Sequence, residues 1–171
     1  PPAPDPHPIL DTGASSGTVL GVSAVFLGSM YKWPAFEIRG MEVLTHKPSV
    51  AAYRAPGAPQ TIFAIESHMS QIARELKLDP VEFRMRHLIQ EGDPMVNNQP
   101  WQSNGAKQVL AKVGEHPMWK GRKEWAASGG KDGRGLRGTG FALGGWLGGL
   151  QPTTATVRLN PGGSLNVLTG E

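Results

Sequence analysis

Residues 51–76 read AAYRAPGAPQTIFAIESHMSQIAREL, and whether they form helix, strand or loop sets the class of the whole chain. The second part, from Pro59 to Leu76, places Ile62, Ile65, Met69, Ile72 and Leu76 at three- and four-residue intervals, one face of an amphipathic helix. The first part, Ala51 to Gln60, is an extended run of small residues carrying Tyr53 and Arg54. A Pro/Gly-constrained turn then delivers the chain into the helix. Small residues around Arg54 let backbone N–H groups come close to a bulky ligand, and the helix N-terminus beyond supplies donors and positive potential for an anionic group. The same residues also read as a rigid loop with an exposed arginine. Glu66 lies at the edge of the apolar face, beside Ile65, where solvation is favoured over burial.

On the C-terminal side, Asp79-Pro80-Val81-Glu82 opens a second helix that runs to about Gln90. Asp79 caps free N–H groups, Pro80 suits the first turn, and Glu82 closes a capping-box-like pair. Gly92-Asp93-Pro94 stops it, and loop chemistry dominates residues 91–102. A third helix fits Ala106 to Val113, with a weaker one around Trp119 and Trp125. Upstream, residues 1–9 are proline-rich and extended, and Leu10 to Ser15 is strand-like. Thr18 to Met30 is apolar and small enough for a buried helix. Phe36 to Thr45 alternates as a strand with a bulge at Gly40. Downstream, 128–135 is glycine-rich and charged, a linker. Arg137 to Gly149 reads as a glycine-interrupted strand. Residues 154–169 read as a hairpin, with Val157 and Leu159 facing Leu165 and Val167 across Asn160-Pro161-Gly162-Gly163. The class expected is α+β, with helices, short mixed strands and a C-terminal hairpin.

Composition narrows the function. In 171 residues there are 23 Gly and 15 Pro, more than a fifth of the chain, which suits a segment threaded through a larger assembly better than an independent compact core. A net charge of +3 with dispersed basic residues leaves no electrostatic footprint for nucleic acid. No run of about 18 apolar residues predicts a membrane span. The lack of cysteine excludes disulfides, iron–sulfur ligation and Cys-type zinc sites within these residues. The opening Pro-Pro-Ala-Pro, without an initiator Met, reads as a piece of a longer frame.

Two short motifs invite other chemistry. Ile9-Leu10-Asp11-Thr12-Gly13-Ala14-Ser15 resembles the catalytic loop of aspartic proteases, whose mechanism needs a second carboxylate sharing a proton with Asp11. Two helices follow it where such a protease is all-β, and no second apolar-apolar-Gly signature closes the chain. Gly133-Arg134-Gly135-Leu136-Arg137-Gly138 matches a dinucleotide fingerprint literally, but lacks the preceding strand and following helix. It reads as a loop. The five histidines (7, 46, 68, 87 and 116) show no metal-ligand spacing.

A long ordered match outweighs these. Asp11-x-Gly13-Ala14, Tyr31-Lys32-x-Pro34, Arg39-Gly40, His46-Lys47-Pro48 and Ala52 to Gln60 follow one another. After them come Phe63-Ala64-x-Glu66, Asp79-Pro80-x-Glu82-x-Arg84 and Glu91-Gly92-Asp93. In that order they resemble the large, molybdopterin-binding subunit of the xanthine dehydrogenase/aldehyde oxidase family. The hairpin and Gly170 resemble the family's strand pair leading to its glycine–glutamine loop.

The resemblance implies an internal piece of the molybdenum-cofactor-binding domains. Residues 1–127 would be part of the first, carrying the cofactor-facing loop 51–60. Residues 128–135 would be a linker, and 136–171 the start of the second domain with hairpin 154–169. It further implies hydroxylation of an aldehyde or N-heterocycle by water-derived oxygen, with hydride passing to a sulfido ligand of molybdenum. By motif position Tyr53, Arg54 and Ala55 lie against the molybdopterin, with or without an appended nucleotide, and the pterin rather than a side chain holds the metal. Pro56 falls where xanthine oxidases carry an aromatic that sandwiches a purine, and Trp146 on another wall of the substrate pocket. Ala55 stands where carbon monoxide dehydrogenases have a copper-binding cysteine, and Val22 where purine-oxidising members have an arginine. Both departures count against those two substrates.

The family's Phe-Gly-Gly loop, its Gly-Gln-Gly loop and the late glutamate that serves as general base lie outside these residues. No catalytic residue and no metal ligand is therefore assigned within them, and the isolated chain is expected to be inactive. The implied partners are the rest of the large subunit, an iron–sulfur subunit with 2Fe-2S clusters, and an FAD subunit or other electron acceptor. The implied location is the cytoplasm, with the periplasm as the alternative. A structural or assembly module without cofactor is the competing reading, and a protease built on Asp11 the third.

Overall fold

The computed structural model describes residues 7–127, 138–148 and 152–170. A short parallel pair opens it: β1 (Ile9–Gly13) lies beside β2 (Met41–Leu44), with Asp11 opposite Val43 and a register shift before Gly13. Between them runs α1 (Val19–Gly28), which buries Val19, Ser23, Phe26 and Leu27. The expected strand over 36–45 shrinks to 41–44. Gly40 is a close approach rather than a bulge, since a Cβ there would fall 2.9 Å from the end of the Leu20 side chain.

The 51–76 stretch forms α2 (Ala58–Glu75), packed along α1. Ile65, Met69 and Ala73 are buried on it, Ile62 and Ile72 half-buried. Leu76 does not join this face. It is exposed as the C-cap, and Lys77 takes the left-handed conformation (φ 55°) usually given to glycine. Lys77 N–H then donates to Arg74 O (3.0 Å) and Leu78 N–H to Ala73 O (2.8 Å), a Schellman closure that satisfies the last carbonyls.

Asp79 caps α3 (Pro80–His87) as expected, accepting from Val81 N at 2.8 Å and Glu82 N at 3.2 Å. Glu82 does not complete the box. It is exposed and leans instead towards Arg86 (3.8 Å) on the next turn. The helix stops at His87, short of Gln90, because Leu88 turns to extended backbone and bridges Tyr31. Then follow α4 (Ala106–Glu115), α5 (Pro117–Lys120) and α6 (Arg122–Ala127).

Residues 138–148 carry no strand, contrary to expectation. They run as irregular chain against the helices, with Leu143 buried in the same core as Phe26, Tyr31, Met69 and Leu110. The glycine-rich motif at 133–138 and the linker at 128–135 lie outside the described residues, Gly138 apart. The hairpin forms as read: β3 (Ala155–Leu159) pairs antiparallel with β4 (Leu165–Thr169), Val157 opposite Val167 and Leu159 opposite Leu165. All four of these side chains are exposed.

Candidate functional site

The loop before α2 is bent by its own backbone. Ala55 sits at φ 46° and Gly57 at φ 76°, so a non-glycine residue is held in the left-handed region immediately before the turn. That costs an alanine about 1 kcal/mol or more and is tolerated where the surroundings over-determine it. Two features do so. Ala58 N–H donates to Ala55 O (3.2 Å), and Gly57 presses against α1, where a Cβ would meet Ser23 Oγ at 2.2 Å and Val19 O at 3.0 Å. Ser23 is held there by its own bond to Val19 O (2.8 Å), and Thr61 Oγ1 returns to Gly57 O (2.9 Å).

The loop thus lines a cavity of about 430 Å³ together with Leu10 of β1, Val19 and Ser23 of α1, and Val50. Ala55 and Pro56 are half-buried in its wall. Arg54 lies exposed on it and makes no hydrogen bond or ion pair with another described residue. Tyr53 also lines it and is fully exposed. The N-terminus of α2 opens on the same space with no side chain capping it.

Trp146 is not among the residues lining that cavity. It lines a separate one of about 240 Å³ with Met30, Trp101 and Val109. Its ring stacks on Phe26 of α1 at 5.0 Å and 11° between planes. Helix α1 therefore touches both predicted walls, Ser23 against the loop and Phe26 against Trp146, three residues apart on neighbouring positions of the helix surface. Val22 precedes Ser23 on this turn and is half-buried, packed on the core.

Between α2, α3 and the chain at Leu143 lies a buried polar cluster that the sequence did not disclose. Glu66, expected in solvent, is 3% exposed, and Arg84 of α3 is 0% exposed. Arg84 Nε donates to Glu66 Oε2 (2.9 Å), and its other nitrogens reach Pro80 O, Glu66 O and Ser70 Oγ at 2.9–3.2 Å. Tyr31 Oη donates to Glu66 Oε1, and Leu143 N–H to Glu66 Oε2 (2.7 Å). Burial and the neighbouring carboxylate push the Tyr31 phenol far above its ordinary value, so it stays a donor. The clue in the sequence was the pairing of Phe63-Ala64-x-Glu66 with an arginine at 84. Nothing local told that pairing from surface charge.

A family described as the molybdopterin cofactor-binding domain matches residues 5–88. The putative xanthine dehydrogenase molybdenum-binding subunit of Escherichia coli (strain K12) is 32% identical over 148 residues, 82% of this chain and 19% of that protein. The chain belongs to the molybdopterin-binding subunits of the xanthine dehydrogenase/aldehyde oxidase family. The same placement comes from solved structures. The aldehyde oxidoreductase of Desulfovibrio gigas superposes with a TM-score of 0.77 at 25% identity, over 95% of this chain and 18% of that one. The enzyme of Desulfovibrio desulfuricans gives 0.72 at 27%, again over 95% and 18%. The α+β architecture is thus that of the molybdenum-cofactor-binding domains, and the chain spans about a fifth of the length of these three relatives.

Within this family member Asp11 has a structural use. Its Oδ1 accepts from Thr45 Oγ1 (2.7 Å) and Gly13 N–H (3.1 Å), and its Oδ2 pairs with Lys47 (2.8 Å). The Lys47 ammonium first, then the Thr45 hydroxyl, lower its pKa to about 2. A carboxyl that is more acidic in the fold than in the unfolded chain stabilises the fold above the ordinary aspartate value of about 4. That contribution fades as the pH falls from there towards about 2. A carbon-detected NMR titration is expected to place the Asp11 midpoint near about 2, and Lys47→Met to raise it towards the ordinary value. A wild-type midpoint above the ordinary value, as in a proton-sharing carboxylate pair, contradicts this assignment. Among the described residues no three His, Asp or Glu side chains gather as a metal site, and no helix is long and apolar enough to cross a membrane.

Proposed function

We propose that the chain forms one wall of the molybdopterin site in a molybdenum hydroxylase that oxidises an aldehyde or an N-heterocycle with water-derived oxygen. The observation that carries this reading is the loop at 53–57. Its left-handed Ala55 and Gly57 seat it on α1, and Arg54 is left without a partner among the described residues beside an uncapped helix end. These features fit a large anionic group. The guanidinium and the helix N-terminus both favour negative charge, and the small side chains at 51 and 55 let backbone lie close to a flat ring system. When bound, molybdopterin supplies the metal at which oxygen transfer and electron removal take place.

The residues of this chain would bind and shape. Arg54 offsets anionic charge, Tyr53 and Ala55 present backbone to the pterin, and Pro56, on the loop cavity, and Trp146, on the separate one, would offer apolar surfaces to substrate from two sides. Val22, next to Ser23 on α1, adds no charge with which to polarise a purine carbonyl. Ala55 offers no thiol for copper. Relatives named aldehyde oxidoreductase or aldehyde oxidase support the substrate class, alongside those named for xanthine. General base catalysis, commonly worth ~10²–10⁴-fold, would come from residues beyond this segment, so the isolated chain is expected to be inactive. Further chain of the same subunit would cover the exposed hairpin. An iron–sulfur protein carrying 2Fe-2S clusters would take the electrons on to an FAD subunit or another acceptor.

The test is cofactor loading of a complete subunit carrying this segment, read as molybdenum content and as fluorescence of the pterin released by oxidation. The wild type is expected to carry both. Arg54→Ala should bind about ten- to a hundredfold more weakly, the loss expected for one charge-assisted contact. A wild-type subunit free of both metal and pterin contradicts the proposal and favours a structural module.

A further inference from the structure

We propose that Glu66 is a positioning residue: its buried carboxylate holds the backbone at Leu143 and so sets where Trp146 lies against α1. The inference rests on the reading of Trp146 as a wall of the substrate space. Residues 138–148 belong to no helix or strand, so no regular ladder fixes their place. The segment's side chains pack on the core, Leu143 within it and Phe141 edge-on to Trp119, and two further contacts tie it to the same ion pair. Leu143 N–H donates to Glu66 Oε2 at 2.7 Å, and the Phe141 ring lies under the Arg84 guanidinium, 5.1 Å from the charge to the ring centre.

Beyond Leu143 come Gly144 and Gly145, which have no side chains with which to pack. The next anchored group is Trp146, stacked on Phe26. The carboxylate that sets this segment is itself immobile. Tyr31, just past α1, bonds its other oxygen, Arg84 from α3 shares Oε2 with Leu143, and it stands on α2. No buried side-chain polar atom in the described structure lacks a partner, and both carboxylate oxygens of Glu66 are bonded. Acidic side chains are almost never buried this fully unless paired. Two apolar residues of similar volume could replace the pair at little cost in stability, but they would offer no acceptor to the Leu143 amide. The ion pair therefore does something that an apolar core does not.

The variant Glu66→Gln can keep this geometry. The amide carbonyl oxygen it introduces would accept from Arg84 and Leu143, and the new NH₂ would donate to the Tyr31 oxygen, since a phenol both donates and accepts. The experiment is ¹⁹F NMR of the full 171-residue chain labelled with 5-fluorotryptophan, the Trp146 resonance being assigned by Trp146→Phe. Glu66→Gln is expected to leave that resonance in place. The double variant Glu66→Leu/Arg84→Met should shift it, because the half-exposed ring loses its fixed stacking on Phe26. The Trp101 resonance, fixed by its Nε1 bond to Ser29 O (2.7 Å), should stay and certify the fold.

A Trp146 resonance unchanged in the double variant, with Trp101 in place, overturns the proposal. If the double variant does not fold, amide exchange in the wild type decides. The Leu143 amide should exchange at least about tenfold more slowly than an unbonded one, the minimum for a hydrogen bond to a charged group; exchange at the unfolded rate overturns the proposal. Neither readout needs cofactor. A Trp146 that proves remote from substrate would therefore remove the pocket reading and leave the Glu66 result standing.

Discussion

Arg84→Met is expected to cost the folded chain about 3–5 kcal/mol, the range for removing one partner of a buried ion pair. Domains of this size have only about 5–15 kcal/mol to lose, so the effect should dominate any other single substitution in α3. The cause is the group left behind. Glu66 would keep Tyr31 and Leu143 but lose the only cation within reach of its buried oxygens, among the described residues. Ser70 Oγ and the carbonyls of Glu66 and Pro80 would lose a donor as well. Urea denaturation followed by tryptophan fluorescence should show a lower midpoint at unchanged slope. Adding Glu66→Leu to Arg84→Met should recover most of the loss, because the penalty belongs to the orphaned charge and not to the missing contact. A single variant within about 1 kcal/mol of wild type, the range of exposed pairs, would mean that water reaches the cluster.

Gly57→Ala is the second large effect, and it acts on the site itself. The added methyl must sit at φ 76°, which costs about 1–2 kcal/mol for a residue with a Cβ. It would also lie 2.2 Å from Ser23 Oγ and 3.0 Å from Val19 O. Relief of such overpacking typically costs about 1–3 kcal/mol more. Moving the serine hydroxyl is feasible, but moving the Val19 carbonyl means moving α1. The loop is therefore expected to lift off α1 and take Arg54 with it. Ser23→Ala combined with Gly57→Ala should restore part of the stability, since the hydroxyl contact goes and the carbonyl contact stays. Thermal unfolding measures this, and an unchanged melting temperature for Gly57→Ala would show that the loop does not rest on α1.

Local chemistry was readable where it is self-contained. The three- and four-residue spacing of Ile62, Ile65, Met69 and Ile72 found α2, Asp79 and Pro80 marked the start of α3, and the Asn160 to Gly163 turn set the hairpin register. What stayed hidden depends on partners far along the chain. Glu66 looks like any polar residue at the margin of a helix face until Tyr31, Arg84 and Leu143 converge on it from 35, 18 and 77 residues away. The alternation of 36–45 and the glycine-interrupted apolar run of 137–149 suggested strands, but a strand needs a neighbour. Only 41–44 finds one in β1, while 138–148 is held by Glu66 and the aromatic rings instead. At the site, the composition of 51–60 showed that backbone could come close to a ligand. The strained Ala55 and the seat of Gly57 on Ser23 needed the fold.

An experimental structure of a complete, cofactor-loaded subunit carrying this segment would decide whether the 53–57 loop is a wall of the cofactor site. The molybdopterin is expected against the loop, with backbone of Tyr53 to Ala55 at contact distance and Arg54 turned towards its anionic groups. A cofactor bound elsewhere, with the cavity between this loop and α1 filled by other protein, would contradict that placement.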